Sequence, residues 1–306
     1  MRTISLLPAA TEMVAALGMI DHLVGVSHEC NYPEEVNDKP RVTACEIYGN
    51  HLPSNEIDRW VNEKLAAGAD LFTLDEPLLR DLKPELILTQ RLCDVCAPAY
   101  GSVTALAETL PGPPRVLNLE PSNLADILAN IQSVADALGV PDHGRSVIAA
   151  LQQRIRRVRD AVADVTQRPR VAVIEWLDPV FCSGHWTPEL VELAGGDEVL
   201  GLKGEYSVAK TWADVVAARP EILILASCGQ TAERAVSDWR MARAKHPEID
   251  TIPAVAQGQV YAADGNAYFS RPGPRVVDAL EIVAKCLWPE RFEGWFPRRG
   301  VIAVQG

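Results

Sequence analysis

Lys83-Pro84-Glu85-Leu86-Ile87-Leu88-Thr89 returns later in the chain as Arg219-Pro220-Glu221-Ile222-Leu223-Ile224-Leu225. Each stretch sets a cation, a proline and a glutamate before a short, largely apolar run. Two further pairs keep the same order. Arg115-Val116-Leu117-Asn118-Leu119 matches Gln259-Val260-Tyr261-Ala262-Ala263, and Arg2-Thr3-Ile4-Ser5-Leu6 matches Arg170-Val171-Ala172-Val173-Ile174. Short apolar runs with helices between them read as strands of a parallel sheet covered on both faces. A chain that presents the set twice predicts two similar lobes, and a cleft between lobes is where small ligands bind.

The expected fold class is therefore α/β: two doubly wound parallel-sheet lobes joined by a single long interdomain helix, with the ligand cleft between the lobes. The boundaries are an N-terminal lobe over 1–141, a backbone helix over 142–168 and a C-terminal lobe over 169–306. In the first lobe, Thr11 is the expected N-cap of a helix that Gly18 ends. Residues 54–67 read as a helix without counterpart in the second lobe, an insertion. Leu124, Ile127, Leu128, Ile131 and Val134 fall on one face of a helix that Gly139 and Pro141 end. Val147, Ile148, Leu151, Ile155, Val158 and Val162 mark the backbone helix, with arginines on its other side. At 1.5 Å per residue such a helix spans roughly 37 Å. In the second lobe Thr187 is the expected cap of a short helix with Pro188 in its first turn. The last 19 or so residues are assigned no element.

With 306 residues the chain can build two proper cores. Its apolar content of 48% and charged content of 23% are ordinary for a globular protein. A net charge of −12 argues against a nucleic-acid partner, which asks for a basic face. The one dense basic cluster, Arg154, Arg156, Arg157 and Arg159, reads as the solvated side of a helix. No stretch approaches the ~18 uncharged apolar residues of a membrane helix, so the chain is not expected to be membrane-embedded. Glu12 interrupts the apolar run that follows Arg2, and Arg2 to Leu7 reads as a strand rather than a secretory leader. As given, the chain reads as cytoplasmic; with a leader removed, it would be periplasmic or otherwise extracytoplasmic. Seven cysteines, an odd number, suit reduced thiols.

In doubly wound sheets ligands bind beyond the carboxyl ends of the strands. Those positions hold Ser27-His28-Glu29-Cys30, Arg91-Leu92-Cys93-Asp94-Val95-Cys96, Trp176-Leu177-Asp178-Pro179-Val180-Phe181-Cys182-Ser183-Gly184-His185-Trp186, and Asn266-Ala267-Tyr268-Phe269-Ser270-Arg271. Two readings compete. Cysteine packs as a small hydrophobe near loop bases. Alternatively, His28, Cys30, Cys93, Cys96, Cys182 and His185 ligate a soft or borderline metal. Aromatic faces suit a large planar or macrocyclic ligand. The expected ligand contacts are His28, Glu29, Tyr48, Asp94, Trp176, Asp178, Phe181, His185, Trp186, Tyr206, Tyr268, Phe269 and Arg271. Arg271 would meet an anionic group at the start of the last helix. Catalytic motifs are missing from the sequence: there is no GxSxG elbow, P-loop or HExxH, and Pro8-Ala9-Ala10 follows the first strand where a dinucleotide fingerprint would place glycines.

Ser5-Leu6-Leu7-Pro8-Ala9-Ala10-Thr11-Glu12, Gly25-Val26-Ser27-His28 with Tyr32-Pro33, and Leu82-Lys83-Pro84-Glu85-Leu86-Ile87-Leu88 resemble the ABC-transporter substrate-binding proteins with a helical backbone. That group captures cobalamin, iron-siderophores and haem. Pro179-Val180-Phe181 with Ser183-Gly184, and Ser270-Arg271-Pro272-Gly273-Pro274-Arg275, look like the second-lobe motifs of its cobalamin-binding members. The resemblance runs in order over nearly the whole chain. It implies non-catalytic binding of a cobalamin-like corrinoid, with no cofactor beyond the bound metal-containing ligand. It also implies one acidic residue per lobe that docks on the transporter's membrane subunits, and Glu76 and Asp214 lie nearest those positions. Two alternatives stay open at the level of sequence: a cytosolic Cys/His metal-dependent enzyme or metal chaperone, and iron-siderophore or haem binding.

Overall fold

The computed structural model describes residues 1–50, 52–91, 97–295 and 300–304. The chain divides into two compact units. The first comprises Met1–Leu52, Glu56–Pro121 and Ala125–Ala150; the second comprises Pro53–Asn55, Ser122–Leu124 and Leu151–Gly306.

From the N-terminus the elements are β1 (Thr3–Ser5), α1 (Pro8–Ala16), β2 (Leu23–Val26), β3 (Thr43–Ala44), α2 (Ser54–Ala66), β4 (Thr73–Leu74), α3 (Glu76–Leu82), β5 (Leu86–Thr89), α4 (Tyr100–Thr109), β6 (Arg115–Asn118), α5 (Leu124–Ala137) and α6 (Pro141–Ala161). Strands β2-β1-β5-β6 form an all-parallel sheet, with Ile4 beside Ile87 and Leu88 beside Leu117. β3 and β4 make a separate antiparallel pair. Every residue of β5 is buried, as a central strand covered on both faces demands. Its Ile87 joins Ile4, Leu6, Val42, Leu79 and Val103 in one apolar core.

The recurrent Pro-Glu stretch acquires a structural meaning. Lys83 ends α3 in the left-handed conformation, φ 44°. Glu85 then turns back to the first strand: its carboxylate accepts the Arg2 main-chain N–H at 2.6 Å, while its own N–H donates to the Arg2 carbonyl at 2.8 Å. Arg2 Nε closes the loop on the Leu82 carbonyl at 2.7 Å.

Two expectations in this region are corrected. α1 starts at Pro8, with Leu7 as its N-cap, so Thr11 is not a cap. Its hydroxyl lies inside, donating to Ser5 Oγ at 2.8 Å and standing 3.1 Å from Cys30 Sγ. The backbone helix also stops at Ala161 rather than near residue 168. There the Arg291 guanidinium donates to the Ala161 carbonyl at 2.5 Å and pairs with Asp164. A cation at a helix C-terminus satisfies carbonyls that have no intrahelical partner. Near its start, α6 lies close to α5: a Cβ on Gly144 would stand 2.6 Å from Ala135 Cβ.

The second unit adds β7 (Arg170–Leu177), β8 (Val180–Cys182), α7 (Thr187–Leu193), β9 (Asp197–Glu198), β10 (Ala209–Lys210), α8 (Trp212–Ala218), β11 (Ile222–Leu225), α9 (Ala232–Lys245), α10 (Pro253–Ala256), β12 (Val260–Ala263), α11 (Val276–Leu287) and β13 (Val301–Ala303). A π-helical turn covers Gly265–Phe269. The sheet centre is parallel, β7 with β11 and β9, and β11 with β12. Its margins are antiparallel, through β8, β10 and β13. β8 follows β7 through a two-residue reversal at Asp178-Pro179, a connection only antiparallel neighbours can use. The C-terminal tail supplies β13, and its Phe292 is fully buried. The motif repeats its wiring: Arg219 is left-handed at φ 48°, Glu221 accepts the Arg170 N–H at 2.9 Å, and Arg170 Nη2 reaches the Ala218 carbonyl at 2.6 Å. Trp186, not Thr187, is the N-cap of α7.

Candidate functional site

In the first unit, the chain leaving β2 passes Ser27 and turns at His28. Thr43 on β3 holds that residue in place. Its hydroxyl accepts the His28 main-chain N–H at 3.0 Å, lies 2.6 Å from His28 Nδ1 and donates to Ser27 Oγ at 3.1 Å. Tyr48 stands edge-on to the imidazole, with centroids 4.7 Å apart and planes at 89°. Phe72 lies 5.7 Å away, tilted. Nε2 is buried and has no hydrogen-bond partner. Burial, reinforced by the Arg41 guanidinium, pushes the His28 pKa down to about 4. The imidazole is therefore neutral at neutral pH and carries a lone pair, the form that a metal or a hydrogen-bond donor needs.

The second unit builds a similar device from different elements. His185 follows β8 and sits in the left-handed region at φ 52°. Its N–H donates to the Glu205 carbonyl at 2.6 Å, and its own carbonyl accepts from the Gly204 N–H at 2.8 Å. Tyr206 stands edge-on at 5.1 Å and 81°, and Trp186 lies at 5.6 Å, tilted. Nε2 is again buried without a partner, and desolvation again lowers the pKa. Tyr48 is 54% exposed and Tyr206 61% exposed, so each braces a histidine while offering surface outward.

The other expected site residues divide by burial. Trp176 and Phe181 are half-buried partners across β7 and β8, and the Trp176 indole N–H is buried without an acceptor. Asp178 is paired with Lys245 at 2.9 Å. Trp186 is 6% exposed and donates its indole N–H to the Phe269 carbonyl at 3.1 Å; Phe269 is 3% exposed. Both rings spend their surface on the core. Arg271 is also buried, and its Nη2 donates to Asn266 Oδ1 at 3.0 Å. Tyr268 is half-buried beneath the Arg275 guanidinium, 5.5 Å from its ring centre. Glu29 is half-buried near Cys45, whose thiol is pushed up chiefly by desolvation and further by Glu29 and Glu46.

Two of the expected metal ligands are buried thiols with near neighbours of their own. Cys30 and Cys182 are each 1% exposed; Cys30 Sγ lies against Thr11 and Cys182 Sγ donates to the Val208 carbonyl at 3.5 Å. Among the described residues no group of three or more His, Cys, Asp or Glu side chains is placed to hold a metal. Cys93, Asp94 and Cys96 lie outside the described residues. The docking candidates also differ. Glu76 is the exposed first residue of α3, whose cap is Asp75. Asp214 closes a capping box, accepting from the Thr211 N–H at 2.8 Å and hydroxyl at 2.7 Å, which lowers its pKa.

Sequence reasoning overlooked Thr43, Phe72 and two carboxylates, Glu175 and Glu198. Glu175 carried a signal: it interrupts the apolar run Val171-Ala172-Val173-Ile174 before Trp176.

Comparison with known proteins follows the same line. A vitamin B12-binding protein of Vibrio cholerae serotype O1 is 24% identical over 295 residues, covering 94% of this chain and 88% of that protein. The structure of the periplasmic heme-binding protein RhuT from Roseiflexus sp. RS-1 superposes with a TM-score of 0.71 at 21% identity, covering 95% of this chain and 98% of the other. The periplasmic vitamin B12 binding protein BtuF of Vibrio cholerae gives 0.67 at 24%, covering 94% and 96%. At these identities the structural likeness shows the fold. Among the described residues no helix is long and apolar enough to cross a membrane. The model of the periplasmic binding protein family matches residues 4–267, and the chain belongs to that family of non-enzymatic, extracytoplasmic substrate-binding proteins of ABC transporters.

Proposed function

We propose that this protein binds a cobalamin-like corrinoid outside the cytoplasm and presents it to the membrane subunits of an ABC transporter. One observation carries the ligand class. Each unit holds a neutral, desolvated imidazole with a partnerless Nε2, braced edge-on by an exposed tyrosine. His28 is assigned to the cobalt, because Thr43 holds its Nδ1, and a hydrogen-bond partner on the far nitrogen is what orients a metal-binding histidine. His185 is assigned a hydrogen bond to the ligand's polar periphery. Tyr48, Tyr206, Trp176 and Phe181 supply ring surface to the macrocycle. Vitamin B12-binding relatives that span most of the chain support this choice. Glu76 is assigned to transporter docking, since its carboxylate is exposed at a helix start while that of Asp214 is engaged in its own cap.

Titration with aquocobalamin, followed by absorbance, tests the reading. Replacement of the axial water by His28 shifts the corrin bands, and the His28→Ala protein shows no such shift. Unchanged bands together with separation of protein and corrinoid on a sizing column sink it. A parallel titration with hemin that alone gives a shift transfers the site to haem.

A further inference from the structure

We infer that Glu175 and Glu198 are positioning residues: two carboxylates that latch the Gly201–Ser207 loop, and Tyr206 with it, against His185. The inference rests on the binding role proposed for His185 and Tyr206. Glu175 projects from β7. Its Oε2 accepts the Ser207 hydroxyl at 2.5 Å and its Oε1 accepts the Gly184 N–H at 3.4 Å. One carboxylate thus ties the residue after Tyr206 to the residue before His185. Glu198, on β9, grips the other end of the loop. Its Oε1 accepts the Leu200 and Gly201 N–H groups, both at 3.1 Å, and its Oε2 accepts the Val173 N–H at 3.2 Å.

The packing between these ends leaves no slack. A Cβ on Gly184 would stand 2.4 Å from Ser207 N, and one on Gly201 would stand 2.3 Å from the Ser183 carbonyl oxygen. Only glycine lets the loop lie this close. The main chain completes the contact through the Glu205 and Gly204 bonds to His185.

Carboxylates in so desolvated a place resist ionisation, and both are pushed up to about 7. The titratable and charged groups around them are Cys182 on β8, whose thiol is raised in part by both carboxylates, Lys210 on β10, and His185 beneath the loop. Thr187 at the start of α7 adds a hydrogen bond to Glu175. Because burial disfavours the charged forms, raising the pH toward 7 increasingly favours an opened loop that lets water reach the carboxylates on β7 and β9.

Hydrogen exchange of the ligand-free, full-length protein reads the latch directly. Amides of residues 200–207 should lose protection, relative to β11, by up to about tenfold per pH unit for each carboxylate between the ordinary glutamate value of 4.5 and the raised value of about 7, and then level off, after correction for intrinsic exchange. Glu175→Gln should flatten that profile, and Ser207→Ala should lower protection throughout and weaken corrinoid binding. Equal protection at pH 5.5 and 8.5, or a Glu175→Gln profile identical to that of the unmodified protein, overturns the inference. If Glu175→Gln does not fold, unchanged protection in Ser207→Ala overturns it. Because exchange is read without ligand, failure of the latch and failure of the corrinoid reading register in separate measurements.

Discussion

Glu85 accepts the main-chain N–H of Arg2 at 2.6 Å, and the same relationship joins Glu221 to Arg170 at 2.9 Å in the second unit. In each, a residue with positive φ ends the preceding helix, proline stops its continuation, and the glutamate sews the helix–strand corner to the first strand. The repeat is thus a joint, used twice. Removing the carboxylate in Glu85→Ala or Glu221→Ala should cost about 0.5–1.5 kcal/mol, since both groups are exposed and the backbone partner can turn to water. Lys83→Gly and Arg219→Gly should instead gain up to about 1 kcal/mol by relieving the left-handed strain. Urea midpoints of the four variants decide both signs.

Thr43→Val should leave the fold intact and remove the hydroxyl that holds His28 Nδ1. Loss of an orienting partner of this kind weakens metal binding about 10–100-fold. Aquocobalamin titration of Thr43→Val should show this loss while the thermal midpoint moves little. Affinity equal to that of the unmodified protein would detach Thr43, and with it the orienting argument, from the site.

Stability should fall between about pH 4.5 and 6.5, because in that window two raised carboxylates oppose one depressed imidazole. His28 has its pKa depressed from 6.5 to about 4, so its contribution is present above pH 6.5 and is lost as pH falls toward 4. Glu175 and Glu198 are raised from 4.5 to about 7, so theirs is present below pH 4.5 and is lost as pH rises through 7. Each shift corresponds to roughly 2–3 kcal/mol after allowance for partial exposure. Thermal midpoints across pH 4–9 should show this decline, steeper in His28→Gln and shallower in Glu175→Gln.

How far the structure was legible in the sequence depended on where its information lay. β5 and β11 were readable because all four residues of each are buried, leaving no alternation to misread. Helix α9 escaped notice because its buried face is largely alanine, Ala232, Ala235 and Ala242 beside Trp239, and alanine marks no stripe. β8 escaped because its pairing is set by the turn before it rather than by its three residues. Tyr48, Tyr206, Trp186 and Phe269 are all expected in loops at strand ends, yet the two tyrosines are exposed while Trp186 and Phe269 face inward. Position along a chain does not report which side of a loop is wet.

Arg154 shows the same limit on charge. The cluster reads as a solvated face, and Arg156, Arg157 and Arg159 are indeed exposed. Arg154 is not: Nε and Nη2 bind both oxygens of Glu281, at 2.8 and 2.6 Å, and Nη2 also pairs with Asp278. Glu281 is 8% exposed. Arg154→Ala strands that carboxylate and should cost about 1–3 kcal/mol, discounted for the exposed part of the guanidinium. Arg156→Ala, with no such partner, should fall within about 0.5 kcal/mol of the unmodified protein. Guanidinium chloride unfolding of the two variants side by side tests the distinction.

Gly184 and Gly204 lie at the two contacts of the Tyr206 loop with His185, and they are glycine for different reasons. Gly204 has φ 78° and open space around its missing side chain. Gly204→Ala should therefore incur only backbone strain, about 1 kcal/mol, and leave the loop closed. At Gly184 the added methyl meets main-chain atoms of Glu205, Tyr206 and Ser207 at 2.4–2.7 Å, and backbone cannot yield as a flexible side chain does. Gly184→Ala should lift the loop, move Tyr206 off His185 and weaken corrinoid retention beyond anything Gly204→Ala does, even where their thermal midpoints agree. Equal retention by the two variants would mean that contact between Tyr206 and His185 does not matter for binding.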